Sequence, residues 1–279
     1  MKQLSCQRRV RSAEEGVRGP PSAGSRGSSM MGFIVTNEHG SNRVPPAAAA
    51  YLGATERDGR FSLAGGFDIG AGEVARSFAS ELACPLVEAP LHPAVIDCNR
   101  PLGHRLLFSK PMRSAPAEIR ETLMRDVHGR HQKRITGLLE EQIRLDGQVI
   151  HLAIHSFAPF EPGPVPEGET RFDAARRTDL GLLYDPKREL ERALCEAWNW
   201  NLYETLPMLR VRRNYPIRGT RDGLTKRLRQ VYPAAQYLGI ELQLNQAWCA
   251  RSLPISRQTI LGIIAGLVTL CDHHRSFAA

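Results

Sequence analysis

The chain of 279 residues contains six cysteines, and none of them forms a Cys-x-x-Cys pair. This scatter excludes a zinc ribbon and indicates no disulfide framework, and unpaired thiols are typical of a reducing cytoplasm. The common glycine-rich loops that bind nucleotide phosphates, Gly-x-Gly-x-x-Gly and Gly-x-x-x-x-Gly-Lys-Ser/Thr, are also missing. The longest apolar run, residues 260–271, is shorter than the roughly 20 residues that span a bilayer. We therefore expect a cytoplasmic protein with no membrane partner.

A strong charge of one sign is absent from the body of the chain. The formal net charge is +8, but residues 1–30 hold six Lys/Arg against two Glu, and the rest holds 31 Lys/Arg against 27 Asp/Glu. Half of the excess charge therefore lies at the N-terminus. A mildly basic body without an aromatic-basic motif disfavours a nucleic-acid partner. It is suited to a small anionic substrate.

Residues 1–30 are predicted to form a disordered basic tail. They hold few large apolar side chains and include the run GPPSAGSRGSS, so they cannot bury enough surface to offset the entropy of ordering. The tail has no apolar central segment, so it is not expected to be a secretory signal. Met30 and Met31 are alternative starts, because the first predicted strand begins at Gly32. Residues 31–279 are expected to form the folded domain, with a sizeable core.

Strand-like and helix-like segments alternate along this body. Strands are predicted at residues 32–36, 85–87, 149–156, 180–184, 209–211 and 237–244, and helices at residues 69–82, 117–144, 187–198 and 256–273. The uninterrupted apolar run at 149–156 is typical of a strand buried on both faces. The alternation predicts a single α/β domain with a mixed, mostly parallel sheet and helices on both faces.

Three ionisable residues are expected at strand ends, along one edge of the sheet. His39 follows the first strand, His155 closes the strand at 149–156, and Glu241 interrupts the apolar run of the last strand. Ligands of open α/β sheets bind beyond the carboxyl ends of strands, so His39 is a candidate for metal or acid/base chemistry. A buried carboxylate is costly unless it is paired or faces a site. Structural alternatives are a hydrogen-bonded turn for His39, a strand cap for His155 and an outward edge position for Glu241.

Further polar residues allow two interpretations each. Asp68 precedes the helix at 69–82, where it could be an N-cap or a site group. His128 and His131 lie on the long helix at 117–144. We expect these two histidines to be partly exposed surface or edge groups rather than ligands.

Seven sequence blocks occur in the order that is seen in the N-formylglutamate amidohydrolase family, which the chain resembles. These blocks are EHGSNRVP, GFDIGAGEVAR, VIDCNRPL, HLAIHSFAPF, RRTDLGLLYDP, RRNYPIRGT and GIELQLNQ. The similarity extends from residue 33 to about residue 246. It implies an α/β fold of the zinc-carboxypeptidase/phosphorylase type. It also implies hydrolysis of the amide bond of an N-formyl or other N-acyl amino acid, such as N-formylglutamate.

The resemblance also implies one zinc ion as cofactor. His39 matches the histidine of the family's first motif, and His155 matches the histidine of its His-Ser strand end, which is similar to the zinc-binding strand of carboxypeptidases. Carboxypeptidases take two ligands from His-x-x-Glu, whereas the third residue after His39 is Asn42. Asp68, in the family's Asp block, is therefore the expected third ligand. Glu38 and Asn42 are the alternatives.

Other matched positions are expected to bind the substrate. Asn99 and Arg100 resemble the Asn-Arg pair that holds a substrate carboxylate in carboxypeptidases. Arg213, Asn214 and Arg218 lie on a loop that could hold a second carboxylate. A guanidinium group suits this task, because it binds a carboxylate through two parallel hydrogen bonds.

These observations predict a zinc-dependent amidohydrolase acting on a small anionic N-acyl amino acid. Zinc lowers the pKa of bound water to about 7, and Glu241 is expected to be the base that later protonates the leaving amine. One alternative is a peptidase or amidase of the same fold with a larger substrate. Another is a non-catalytic binding protein that keeps the fold without the metal.

Overall fold

The computed structural model describes residues 31–160, 177–247 and 257–278. The predicted basic tail, residues 1–30, lies outside the described residues. Within the described ranges no helix has the length and apolar character needed to cross a membrane.

Strands and helices alternate as the sequence predicts. The described strands, in chain order, are β1 Gly32–Asn37, β2 Arg43–Val44, β3 Thr55–Arg57, β4 Arg60–Ser62, β5 Leu86–Glu88, β6 Val149–Phe157, β7 Leu180–Leu183, β8 Val211–Arg213 and β9 Tyr237–Asn245. The described α-helices are α1 Pro46–Leu52, α2 Ala71–Glu81, α3 Ala117–Leu123, α4 Arg130–Asp146, α5 Glu189–Thr205, α6 Leu224–Val231 and α7 Arg257–Ala278. A 3₁₀ turn, Met112–Ser114, precedes α3, and a π-helical turn, Met124–Gly129, joins α3 to α4.

Six strands form the main sheet in the order β5-β1-β6-β9-β7-β8. The first four run parallel to one another, β7 runs antiparallel to β9, and β8 is parallel to β7. The prediction of a mixed, mostly parallel sheet is confirmed. The short strands β2, β4 and β3 form a separate antiparallel sheet, which the sequence interpretation did not include.

Helices cover both faces of the main sheet, as predicted. Helices α2, α5 and α7 pack on one face, around the fully buried Trp198 and Phe78. Helices α4 and α6 pack on the other face, around Ile135, Leu139 and Tyr237. Every residue of β6 and β9 is buried, which explains their continuous apolar runs.

The long helix predicted at 117–144 is interrupted by the π-helical turn. This turn contains His128, and His131 follows it at the start of α4. The expectation that His128 and His131 are partly exposed is wrong, because both are buried. The wider turn directs both side chains inward, where polar partners are available. His128 Nε2 donates to the Arg100 carbonyl at 2.7 Å, and His131 Nε2 lies 3.9 Å from Glu38 Oε1.

Candidate active site

The first candidate side chains lie in the turn that follows β1. Asn37, the last residue of that strand, donates from Nδ2 to the Ile154 carbonyl at 3.0 Å and so ties the ends of β1 and β6 together. A Cβ atom at Gly40 would lie 2.3 Å from Asn37 Oδ1. The turn therefore requires a glycine, and it places Glu38 and His39 at the carboxyl edge of the sheet.

Asp68 reaches the same edge from the loop before α2. Its backbone N–H donates to the His39 carbonyl at 2.8 Å. His92 Nε2 donates to the Gly65 carbonyl at 2.9 Å and braces the same loop. Helix α2 begins after Gly70, and no side chain caps its N-terminus. The interpretation of Asp68 as an N-cap is therefore wrong, and its carboxylate faces two histidines instead.

His39, Asp68 and His155 form a compact group of metal-ligating atoms. Asp68 Oδ2 lies 2.8 Å from His155 Nδ1 and 3.7 Å from His39 Nδ1. One ligand atom from each residue lies within 4.8 Å of the other two, so a single ion could reach all three. Asn42, an alternative third ligand, is exposed and is not part of this group.

The second ring nitrogen of each histidine faces a carboxylate. His39 Nε2 lies 2.7 Å from Asp97 Oδ1, and His155 Nε2 lies 3.2 Å from Glu38 Oε2. Carboxylates in this position fix the orientation and tautomer of metal-binding histidines. Glu38, the other alternative ligand, therefore lies behind His155, on the side of the ring away from Asp68.

The histidines and carboxylates of the group shift the pKa of one another toward the charged forms. Burial alone would lower the pKa of His39, but Asp68 and Asp97 outweigh it and raise the pKa to about 9. Burial would raise the pKa of Asp68, yet His155 and His39 lower it to about 2. Glu38 is buried as well, and His131 and His155 hold its pKa well below the usual value. The carboxylates that favour protonated imidazoles here would equally stabilise the positive charge of a metal ion.

A cavity of about 320 Å³ opens above this group. Its volume lies at the lower end of the range for small-molecule sites. Six of its lining residues are candidates from the sequence, namely His39, Asp68, Asn99, Arg100, His155 and Glu241. The structure thus brings the expected metal, base and carboxylate-binding residues to one place.

Glu241 lies inside β9 and not at its end, which corrects the expectation from the sequence. It is paired in register with Ala153, while Gln243 pairs with His155. Side chains alternate along a strand, so Glu241 and His155 project from the same face of the sheet. Glu241 is 7% exposed, and Thr225 Oγ1 donates to its Oε1 at 2.5 Å. The alternative of an outward edge position is therefore wrong.

Arg100 is held at the cavity by two neighbours. Its Nη1 donates to the Asp222 carbonyl at 2.8 Å, and its Nε approaches Asp97 Oδ2 at 3.4 Å. Asn99 Oδ1 accepts the Leu224 N–H at 2.6 Å, at the start of α6. These contacts fix both side chains of the Asn-Arg pair against α6 and the preceding loop.

The structure does not bring the other three substrate-binding candidates to the cavity. Arg213 pairs with Glu196 on α5 at 2.5 Å. Asn214 Oδ1 accepts the Tyr184 N–H at 3.2 Å, so its side chain supports the loop. Arg218 is exposed, and none of the three lines the cavity.

Arg221 and Asp222 do line the cavity, and both were missed from the sequence. The Arg221 N–H donates to the Arg218 carbonyl at 3.0 Å, which forms a turn. The turn directs Arg221 rather than Arg218 to the cavity. Among the described residues, no carboxylate lies within ion-pair distance of Arg221. The signal that could have found it is the charged Arg-Asp-Gly sequence directly after the RRNYPIRGT block.

The chain matches the model of a family described as N-formylglutamate amidohydrolase over residues 31–248. A solved gene product from Agrobacterium tumefaciens is 21% identical, with 86% of this chain and 91% of that chain covered at a TM-score of 0.63. A solved N-formylglutamate amidohydrolase from Ralstonia eutropha is 16% identical, with 90% and 96% covered at a TM-score of 0.58. These two likenesses show a shared fold. A search of curated proteins found no match. Because the family model spans most of its length, the chain belongs to the N-formylglutamate amidohydrolase family.

Proposed function

We propose that this protein hydrolyses the amide bond of an N-formyl or other N-acyl amino acid, with N-formylglutamate as the leading candidate and one zinc ion as cofactor. The products are formate, or the corresponding acid, and the free amino acid. Membership of the family implies amidohydrolase activity on N-formylglutamate-like substrates. The observation that carries the finer proposal is that the group of His39, Asp68 and His155 shares one small cavity with Glu241 and Arg100.

The donor atoms fit zinc. Two imidazole nitrogens and one carboxylate oxygen are a common catalytic set, which leaves one position open. His39, Asp68 and His155 would hold the ion, while Asp97 and Glu38 orient the two imidazoles. When bound, zinc would polarise the amide carbonyl and make water a stronger nucleophile at neutral pH.

Glu241 is suited to move the proton in this reaction. Its carboxylate is buried at the cavity wall, and the Thr225 hydroxyl fixes its orientation. As water attacks the acyl carbon, Glu241 accepts a proton from that water. The carbon–nitrogen bond then breaks, and the same proton passes to the leaving nitrogen. The acyl carbon keeps the hydroxyl group and the amine leaves with both required hydrogens.

The cations around the cavity favour an acidic substrate. We assign Arg100 to the α-carboxylate, because it lies beside Asn99 in the matched Asn-Arg pair. We assign Arg221 to a second carboxylate on the amino-acid side chain, because this residue lines the cavity and has no ion-pair partner among the described residues. A guanidinium binds carboxylate with directional, charge-assisted hydrogen bonds.

The decisive experiment is a substrate panel with purified, zinc-loaded protein. We would compare N-formylglutamate, N-formylglutamine, N-acetylglutamate and a glutamyl dipeptide by measuring release of the free amine. Fastest turnover of N-formylglutamate would support the proposal. Preference for the dipeptide would favour a peptidase of the same fold. Failure of the purified protein to take up zinc, together with no turnover of any substrate, would favour a binding protein that has lost the metal.

We also propose that residues 31–279 are the catalytic domain and that residues 1–30 are dispensable for its stability. A chain that starts at Met31 should unfold at the same temperature as the full chain, and a large loss would contradict this. We also propose a cytoplasmic location, from the use of cysteine, and a role in amino-acid metabolism, from the family resemblance.

A further inference from the structure

We infer that Glu38 and His131 form a positioning pair that holds His155 ready for the metal ion. The inference rests on the proposed metal site and adds two residues that are not ligands. Neither of them lines the cavity. Both act through His155, so they are positioning residues rather than catalytic ones.

Glu38 is the centre of the pair. Its side chain is fully buried, with 0% exposure, and a buried carboxylate is stable only with partners. Its two oxygens face two different histidines. Oε2 lies 3.2 Å from His155 Nε2, and Oε1 lies 3.9 Å from His131 Nε2.

This contact decides which nitrogen of His155 is available to a metal. A neutral imidazole carries one proton on one of its two nitrogens. A proton on Nε2, which faces Glu38 Oε2, leaves the lone pair of Nδ1 free, and Nδ1 is the atom that lies 2.8 Å from Asp68. The contact of Asp97 with His39 Nε2 has the same effect on the other histidine.

His131 faces Glu38 from the opposite side, with its Nε2 at 3.9 Å from Glu38 Oε1. It lies at the start of α4, directly after the π-helical turn, and is 5% exposed. The helix is fixed there, because Gln132 Nε2 donates to the Cys98 carbonyl at 2.7 Å. A rigid helix end behind Glu38 limits the rotation of its carboxylate, which would otherwise turn away from His155.

A second metal site does not explain these residues. Where side chains are described, the group of His39, Asp68 and His155 brings three ligand atoms within 4.8 Å of one another. Glu38 and His131 complete no further group of this kind. Their contacts lead to one of the proposed ligands, as expected for residues that orient it.

The test measures zinc affinity of the full chain by competition with a chromogenic chelator, together with the unfolding temperature of the metal-free protein. Glu38→Gln should weaken zinc binding by about 10- to 100-fold, the usual effect of removing such a partner. His131→Gln should weaken it in the same direction and by less. The cobalt-substituted variants should show shifted absorption bands, and Glu38→Asp should recover part of the affinity.

His128→Gln is the matched control. His128 is buried three residues before His131, in the π-helical turn, and it donates to the Arg100 carbonyl instead of facing Glu38. It should keep the zinc affinity and cobalt spectrum of the natural chain. Equal losses in the His128 and His131 variants, tracking the unfolding temperature, would overturn the inference. An unchanged zinc affinity in Glu38→Gln would also overturn it. If Glu38→Gln does not fold, an unchanged zinc affinity in His131→Gln would overturn it instead. Failure of the natural chain to bind zinc would overturn the proposed function itself.

Discussion

Replacing Glu191 by glutamine should destabilise the domain strongly, because Glu191 is one half of a fully buried ion pair. Arg229 Nε lies 3.0 Å from both Glu191 oxygens. Glu191 also accepts the backbone N–H groups of Gly239 and Asp185, each at 3.0 Å. Arg229 donates in turn to the carbonyls of Gly239 at 2.5 Å and Gly219 at 2.7 Å.

The pair completes the hydrogen bonding of β9 where a neighbouring strand is missing. Strand β7 pairs with β9 only from Glu241 to Leu244. Before that point, the Glu191 and Arg229 side chains satisfy both backbone groups of Gly239, two residues from the proposed base. Loss of the carboxylate charge therefore leaves a buried guanidinium uncompensated and loosens the strand that carries Glu241.

Breaking one half of a buried pair costs about 3–5 kcal/mol. Each kcal/mol lowers the unfolding temperature of a domain of this size by roughly 2–4 °C, so the expected fall is about 6–20 °C. Differential scanning calorimetry would measure it. The control is Glu196→Gln on the same helix, which breaks the half-exposed pair with Arg213 and should cost less than about 1 kcal/mol. A loss below about 1 kcal/mol for Glu191→Gln would refute the reasoning.

Four further outcomes are expected. Glu241→Gln should keep its zinc and lose kcat by ~10²–10⁴-fold in a steady-state assay, and a near-normal kcat would end its assignment as the base. Arg221→Gln should raise KM for N-formylglutamate by about 10- to 100-fold, the worth of one charge-assisted hydrogen bond, but leave N-formylglutamine unaffected. Arg218→Gln is the control, and equal effects would contradict the assignment. Zinc affinity should fall as pH is lowered from 8 to 6, because zinc must displace a proton from His39, whose pKa is about 9. In the metal-free protein the stabilisation from protonated His39 is full below pH 6.5 and lost as pH rises through about 9. A zinc affinity that does not change between pH 8 and pH 6 in chelator competition would contradict the expected fall in affinity.

The sequence predicts the sheet and the two histidines for the same physical reason. Strands β6 and β9 are buried on both faces, so their sequences are continuous apolar runs in which His155 and Glu241 stand out. The ends of parallel strands meet at one edge, which brings His39 close to His155 without any knowledge of loops. Alternation along β9 then directs Glu241 to the same face, although it lies deeper in the strand than expected.

Loop geometry explains why Arg213 and Arg218, unlike Arg100, do not line the cavity. The sequence places a strand at residues 209–211, but β8 is Val211–Arg213. The shift makes Arg213 part of the strand, where Glu196 on the neighbouring helix binds it. A turn between Arg218 and Arg221 then directs the later arginine to the cavity. Boundaries of this kind depend on tertiary packing, which local sequence patterns do not encode.

The helical histidines show a second limit. His128 and His131 are three positions apart and share a helix face with the buried Ile135, but the sequence does not show the polar partners that burial of two histidines requires. The π-helical turn Met124–Gly129 changes the side-chain directions at that point. The polar groups that the two histidines meet come from other parts of the fold. His128 donates to the Arg100 carbonyl, and His131 Nε2 lies 3.9 Å from the carboxylate of Glu38.

The proposed third ligand, Asp68, lies far along the chain from His39, whereas the His-x-x-Glu motif supplies two ligands from neighbouring residues. In that motif two ligands share one turn, so forming the turn places both of them. Here helix α1 and the three-stranded sheet lie between His39 and Asp68, and the longer connection costs more entropy to close. Two hydrogen bonds hold the loop in return, from the Asp68 N–H to the His39 carbonyl and from His92 to the Gly65 carbonyl. The proposed metal site therefore depends on the packing of the layer that carries this loop, and not on one local turn.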